Sequence, residues 1–207
     1  FALLLNEIKN KFMKRSIQTI VYLPNFLSWV ILATVVVNIF SYEGPINAVL
    51  EMLGIEPILF MASNKWFRSV LIVTDVWKGF GYGAIIYLAA LSGIDPGLYE
   101  AAAIDGANRF KRVWHITLPG ILPTIMLVTI MNLPNVLNAG FDQIFNLYNP
   151  LVMETADIID TWVYRVGLVE RQYSLGTAVG LLRSIVGIIL MLSANKIAQK
   201  VTDYRIF

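Results

Sequence analysis

The sequence predicts an all-α protein, a polytopic bundle of transmembrane helices, and three observations lead to this fold class. Of the 207 residues, 57% are hydrophobic and only 14% are charged, whereas a soluble domain carries about 25% charged residues. Four apolar runs are each long enough to cross a bilayer, which takes about 20 helical residues. The Lys and Arg residues concentrate in alternate loops. Because lipid offers no hydrogen bonds to the backbone, the apolar runs are predicted to be helices.

The predicted spans lie at residues 17–40, 67–91, 119–141 and 174–195. The first has no charge and one internal proline, Pro24, and the fourth carries only Arg183. Residues 1–5 are expected to be the tail of a further span upstream, so the chain is interpreted as truncated at its N-terminus. The whole of residues 1–207 is predicted to form a single transmembrane domain.

The distribution of basic residues predicts the orientation in the membrane. Ten Lys and Arg residues lie in 6–16, in 92–118 and after 195, against three in 41–66 and 142–173. Short loops rich in Lys and Arg stay in the cytoplasm. The loop at residues 92–118 is therefore predicted to be cytoplasmic, in a multi-pass membrane protein.

This loop at residues 92–118 carries helix start and stop signals of its own. Asp95 followed by Pro96 is a typical helix start, with Asp as the N-cap and Pro at the first helical position. Gly106 suits the left-handed residue that follows a helix end, and Asn108 is expected to cap a second short helix. Since the first helix carries three consecutive alanines, it offers a surface with little side-chain bulk.

Two interpretations of the loop follow from these residues alone. In one, the first helix is a docking surface for another protein, with Glu100 as a charged anchor. In the other, the loop is an amphipathic linker at the membrane interface, with Phe110 and Trp114 in the headgroup region.

A family resemblance comes from the spacing of the residues in this loop. The pattern consists of Glu-Ala-Ala, then three residues, Gly, nine residues and Ile-x-Leu-Pro. It resembles the signature of the permease subunits of bacterial binding-protein-dependent ABC importers, which have the MetI-like fold. The matching positions are Glu100, Ala101, Ala102, Gly106, Ile116, Leu118 and Pro119. Residues 77–81 (Trp-Lys-Gly-Phe-Gly) are similar to the carbohydrate branch of this family. Residues 141–150 and 160–165 are most similar to permeases for complex oligosaccharides and polysaccharides, although Tyr148-Asn149-Pro150 stands where many relatives have Gly-Gly-Pro.

The resemblance implies a multi-pass transport subunit of a bacterial cell membrane that is not itself an enzyme. The loop would be a coupling helix in a groove of a cytoplasmic ATPase, one of a pair, and Glu100 would face a basic residue there. Further implied partners are a second permease subunit and an extracytoplasmic solute-binding protein that delivers an oligosaccharide. ATP and Mg²⁺ would be held by the ATPase subunit, because this sequence contains no Gly-x-x-x-x-Gly-Lys-Ser/Thr loop.

Polar residues within the spans are candidates for the substrate pathway. On the third span, Asn132, Asn135 and Asn138 recur at helical spacing, and amides suit sugar hydroxyls. The alternative is that these amides form hydrogen bonds to neighbouring helices. On the second span, Asp75 and Lys78 share a helix face. They either form a structural pair, or contact substrate or support gating. Tyr82 is a weaker candidate.

Other functional classes have little support in the sequence. With no Cys and a single His, no metal site and no hydrolytic triad is predicted, and the net charge of +2 does not indicate a nucleic-acid partner. The alternative that stays open is an ion-coupled secondary transporter, with Asp75 and Lys78 carrying the coupling.

Overall fold

The computed structural model describes residues 1–8, 10–133, 137 and 139–202, with side chains up to residue 196, and all regular elements within these ranges are helical. The α-helices in chain order are α1 (Ala2–Asn6), α2 (Lys11–Phe26), α3 (Trp29–Ile39), α4 (Pro45–Met52), α5 (Asn64–Ser92), α6 (Pro96–Ile104), α7 (Arg109–Arg112), α8 (Leu118–Asn132), α9 (Phe141–Leu147), α10 (Met153–Ala156), α11 (Ile159–Val163) and α12 (Tyr173–Thr202). Two 3₁₀ segments (Phe60–Ala62 and Pro150–Val152) and two π-helical segments (Val113–Thr117 and Tyr164–Val169) complete the described elements. The prediction of an all-α fold is confirmed.

The long helices correspond to three of the four predicted spans. Among the described residues, Asn64–Ser92, Arg109–Asn132 and Tyr173–Lys196 are long and apolar enough to cross a membrane. Helices α2 and α3 meet this criterion only as a pair, and they are bent by 105° at the break between them. The structure thus gives up to four crossings, but the first of them is not a continuous helix.

The break between α2 and α3 corrects the prediction of one helix over residues 17–40. Pro24 lies inside α2, where it has no N–H to donate and its ring crowds the carbonyl four residues earlier. Ser28 then caps a new helix, since its side chain accepts the N–H of Ile31 at 3.4 Å. Together the two residues end one helix and begin the next.

The third span is shorter at its C-terminal end than the sequence indicates. Helix α8 ends at Asn132, and Phe141, the predicted last residue of the span, is the first residue of α9. Gly140 precedes it with φ +76°, a backbone conformation that glycine adopts without steric cost. Phe141 therefore belongs to a separate short helix.

The chain divides into two compact units. The first comprises Phe1–Thr19, Phe80–Val136 and Val186–Phe207, and the second Ile20–Gly79 and Leu137–Ile185. The prediction of a single domain over residues 1–207 stays a prediction.

The second unit has a hydrophobic core in which side chains from α3, α5 and the short helices after α9 are buried, among them Val36, Phe67 and Val152. Asn47, also buried, holds the adjacent loop. Its Nδ2 donates to the carbonyls of Ser41 (3.0 Å) and Ile58 (2.9 Å), and its Oδ1 accepts the N–H of Ile58 at 2.8 Å. The side chain thus supplies the hydrogen bonds that an irregular segment cannot make itself.

The first unit joins the chain start to the segment around α6 and α7. Glu7 and Arg109 form a salt bridge at 2.6 Å, and the rings of Phe1 and Phe80 pack edge to face with centroids 5.3 Å apart. A Cβ on Gly120 would lie 2.9 Å from Cδ1 of Ile94. The absence of a side chain at position 120 therefore lets Ile94 pack against the start of α8.

Candidate functional site

The loop at residues 92–118, here called the coupling loop, is a structured segment in which both predicted helix starts are present. Asp95 caps α6, its Oδ1 accepting the N–H of Gly97 at 2.9 Å. Asn108 caps α7, its Oδ1 accepting the N–H of Lys111 at 2.9 Å. Because these caps satisfy N–H groups that the helices cannot bond internally, they fix where each helix begins.

Gly106 ends α6 in the way the sequence predicts. Its φ is +71°, its N–H donates to the carbonyl of Ala103 at 3.2 Å, and the N–H of Ala107 donates to the carbonyl of Ala102 at 2.9 Å. This pair of bonds is the Schellman motif, which satisfies the last carbonyls of a helix. The coupling loop is thus fixed at the start and the end of its main helix.

The side chains of the coupling loop are largely accessible in the chain. Glu100 and Ala101 are exposed and Ala102 is half-buried. Large apolar side chains nearby are also exposed: Ile104 at 87%, Phe110 at 84% and Trp114 at 70%. An exposed apolar set of this kind marks a surface that another protein or a membrane covers.

The Ile-x-Leu-Pro end of the motif lies where the coupling loop becomes the third span. The π-helical segment Val113–Thr117 runs directly into α8. Pro119 has no N–H, and its ring would crowd the carbonyl four residues earlier, so a widened turn before it relieves the clash. Of the motif residues here, Ile116 and Leu118 are half-buried and Pro119 is exposed.

A side-chain contact also connects α6 with the start of the third span. The hydroxyl groups of Tyr99 and Thr117 are 2.9 Å apart and hydrogen-bonded, and Thr117 is buried. Neither residue was singled out from the sequence, because 18 positions separate them and nothing local signals their contact.

Lys78 binds the end of α2. Its ammonium donates to the carbonyls of Pro24 (3.2 Å), Asn25 (3.0 Å) and Leu27 (2.6 Å), and lies 5.6 Å from the ring centroid of Trp29. The C-terminus of a helix is its negative end, so a cation is favourable there. The sequence left open a pair between Asp75 and Lys78; these two described residues form no ion pair within 4 Å, and Lys78 bonds backbone instead.

The other candidates for a substrate pathway are in different surroundings. Asp75, in the second unit, is exposed and lines a cavity of about 470 Å³ with Gln143 and Gly140. In the first unit, Tyr82 is 48% exposed, and Nδ2 of Asn132 donates to the carbonyl of Val128 at 2.9 Å, within its own helix. The remaining two candidates, Asn135 and Asn138, lie outside the described residues.

Two ion pairs of the second unit were not anticipated from the sequence. Arg183 of α12 is bonded to Asp160 of α11, and both side chains are about three-quarters buried. Arg165 binds Asp157 at 2.6 Å, and this guanidinium holds the pKa of the Asp157 carboxyl below its usual value. The one signal available was Arg183 itself, since a charge inside a span needs a partner.

The chain is a polytopic α-helical membrane protein, as its long apolar helices, its broken first span and its capped loop show. The chain belongs to the family of binding-protein-dependent transport system inner membrane components, whose profile matches residues 1–203. The predicted family and its membrane localisation are confirmed.

Similar proteins are found among curated sequences. Protein LplB of Bacillus subtilis (strain 168) is 44% identical over the whole of this chain, and the polygalacturonan/rhamnogalacturonan transport system permease protein YteP of the same organism is 41% identical, also over the whole chain. The chain spans 65% of the length of LplB and 64% of the length of YteP.

Solved structures share the fold. A bacterial ABC transporter involved in the import of the acidic polysaccharide alginate is 40% identical, with a TM-score of 0.93 over 97% of this chain and 71% of that chain. The alginate ABC transporter in complex with an alginate pentasaccharide-bound periplasmic protein gives a TM-score of 0.94 at 40% identity, over 99% of this chain and 72% of that chain. The predicted transmembrane bundle is therefore confirmed at the level of the fold.

Proposed function

We propose that this chain is the membrane-spanning permease subunit of an ATP-driven importer of oligosaccharides. The observation that carries the proposal is the coupling loop, an exposed helix capped at its start by Asp95 and ended by Gly106. A helix fixed in this way transmits the movement of a bound partner, because it does not deform when it is displaced. The carbohydrate cargo is supported by the names of the similar permeases and of the alginate transporters.

The partners follow from the same proposal. A cytoplasmic ATPase pair, carrying ATP and Mg²⁺, docks on the coupling loop with Glu100 as the charged contact. A second permease subunit completes the pathway, and an extracytoplasmic solute-binding protein delivers the sugar. The exposed Ile104 and Phe110 give the ATPase an apolar contact beside Glu100. This chain itself performs no ATP hydrolysis.

Transport by reconstituted vesicles tests the proposal. The intact complex, purified with the full-length chain and its co-purifying subunits, is placed in vesicles and supplied with its solute-binding protein and labelled oligosaccharides. We expect accumulation that requires ATP, and no accumulation with a non-hydrolysable ATP analogue. Uptake driven by an ion gradient without ATP would overturn the proposal in favour of a secondary transporter.

A substitution of Asp75 further distinguishes an ATP-driven importer from a secondary transporter that uses Asp75 and Lys78. In a secondary transporter that uses them for coupling, neutralising Asp75 abolishes the dependence of uptake on the ion gradient. In the proposed importer, the energy source stays ATP in the Asp75→Asn variant, because the ATPase subunit supplies the driving force.

A further inference from the structure

The second unit contains an open cavity of about 600 Å³ beside the break in the first span. Its wall includes Trp29 at the start of α3, Phe141 and Asp142 at the start of α9, and Tyr164 in the π-helical segment after α11. This volume falls within the range of about 300–1,000 Å³ that is usual for small-molecule sites. Of the described residues singled out from the sequence for a substrate pathway (Asp75, Lys78, Tyr82 and Asn132), none lines this cavity.

The aromatic part of the wall is held in place by neighbouring side chains. The Tyr164 ring packs edge to face on Phe145 with centroids 4.9 Å apart, and lies 5.9 Å from Phe141. Trp29 is held by the ammonium of Lys78, 5.6 Å from its centroid. Rings that are fixed in this way lose little conformational freedom when a ligand packs against them.

The polar part of the wall offers both acceptors and donors. Asp142 is exposed, and its carboxylate has no hydrogen-bond partner among the described residues. Asp160 is bonded by one guanidinium nitrogen of Arg183, which leaves further N–H groups of that guanidinium as donors. Among the described residues, the lining carries two carboxylates and one guanidinium, an arrangement that suits a ligand with many hydroxyl groups.

We propose that this cavity is a subsite for one pyranose ring of the transported oligosaccharide, an inference that rests on the proposed function. The C–H face of the ring packs on Tyr164 and Trp29, while its hydroxyl groups donate to Asp142 and Asp160. Arg183 donates to ring oxygens or, in an acidic sugar, to the carboxylate. The charge count of the loops predicts residues 142–173 to be extracytoplasmic, so the subsite receives sugar on its way into the membrane.

Cysteine labelling tests the subsite directly, because residues 1–207 contain no cysteine and any cysteine elsewhere in the complex is replaced by serine beforehand. Leu168 lines the cavity and is 60% exposed, whereas its neighbour Val169 is 61% exposed and does not line it. Single variants Leu168→Cys and Val169→Cys, each in the intact complex, are labelled with a maleimide in the presence of a galacturonate trisaccharide or a neutral galactose trisaccharide. These two probes separate an acidic ring from a neutral one.

At a trisaccharide concentration about ten times its dissociation constant, labelling of Leu168→Cys should slow about tenfold, because occupancy governs access. Labelling of Val169→Cys should not change. Equal protection of both cysteines, or protection of neither by either trisaccharide, overturns the subsite. A Leu168→Cys that is unlabelled before sugar is added also overturns it, since another subunit then fills the cavity.

Exchanging the charges of Asp160 and Arg183 tests whether these side chains bind the sugar or only form a structural ion pair. The double variant Asp160→Arg with Arg183→Asp keeps an ion pair at this position but exchanges acceptor and donor. We expect the KM for ATP-driven uptake to rise about tenfold or more, as is usual when a hydrogen bond to a charged group is lost, with assembly unchanged. A KM equal to that of the native complex would overturn the role of the pair.

If no saccharide is taken up by the native complex, the proposed function fails; if uptake is normal but cavity protection is absent, only the subsite fails.

Discussion

Removing the ammonium group of Lys78 should destabilise the broken first span. In the Lys78→Met variant the side chain keeps its approximate length but no longer donates to the carbonyls of Pro24, Asn25 and Leu27. Pro24 and Asn25 lie in the last turn of α2, and Leu27 follows it directly. The Pro24 carbonyl also accepts the N–H of Leu27 at 3.2 Å, whereas the carbonyls of Asn25 and Leu27 lie where the helix runs out of internal donors. Met also removes the cation that faces the ring of Trp29.

The size of the effect follows from the hydrogen bonds to Asn25 and Leu27, because the Pro24 carbonyl keeps the N–H of Leu27 as a partner. Each orphaned carbonyl that is shielded from water costs about 1–3 kcal/mol. The Lys78 side chain is only half-buried, and the native ammonium also loses hydration, so the net loss should be about 2–5 kcal/mol. In a chain of this size each kcal/mol corresponds to about 2–4 °C in Tm. A decrease of about 5–15 °C is therefore expected by the same scaling.

Thermal unfolding of the purified complex measures this decrease. Lys65→Met is the matched control, because the ammonium of Lys65 also lies near a ring, 5.7 Å from the centroid of Trp66, but within the described residues it donates to no backbone carbonyl. Lys78→Arg, which keeps the charge and several donors, should recover part of the loss. If Lys78→Met melts together with Lys65→Met, the ammonium does not hold the end of α2 and the reasoning is refuted.

Three further predictions concern the coupling loop and an ion pair. Glu100→Lys should abolish uptake and co-purification of the ATPase, while the chain still inserts in the membrane. The control Glu56→Lys, in another loop, should keep both uptake and co-purification. Full transport with normal assembly in Glu100→Lys would remove Glu100 from the mechanism. Gly106→Ala should lower the free energy of unfolding by about 1–2 kcal/mol, because a Cβ there meets no atom but the backbone φ is +71°. The control Gly180→Ala, in helix α12 and equally unhindered, should not lower it, and thermal unfolding that is the same for both variants would contradict the prediction. Because its ion pair lowers the pKa of Asp157, that carboxylate contributes stability above its unfolded-state pKa of about 4, and the contribution is lost as the pH falls through the lower folded-state pKa. In Asp157→Asn, unfolding measured across this acidic range should lose that part of its pH dependence, and an unchanged dependence would contradict the assignment.

The sequence was sufficient where the deciding interactions are local. The caps at Asp95 and Asn108 and the left-handed Gly106 each act within a few residues, so their side chains and their spacing predict them. The apolar runs predicted the long helices for the same reason, because a bilayer imposes one length and one backbone structure.

Interactions between distant parts of the chain set the features that the sequence did not predict. The break at Ser28 is stabilised by Lys78, which is 51 residues from Leu27. The charge of Lys78 is visible in the sequence, but its spacing indicates only the nearby Asp75 as a possible partner and gives no sign of the carbonyls at the end of α2. Similarly, the pairing of Arg183 with Asp160 spans 23 residues, and neither periodicity nor spacing selects one acidic residue over another at that distance.

The hydrogen bond between the hydroxyl groups of Tyr99 and Thr117 connects α6 directly with the start of the third span. Along the backbone, a displacement of α6 would have to pass through 18 positions, including the turn at Gly106. Through the hydrogen bond it reaches Thr117 in one step, and Thr117 is buried directly before α8. In the proposed importer, a displacement of α6 by the ATPase would therefore act on the start of the third span directly through this hydrogen bond, without passing through the turn at Gly106.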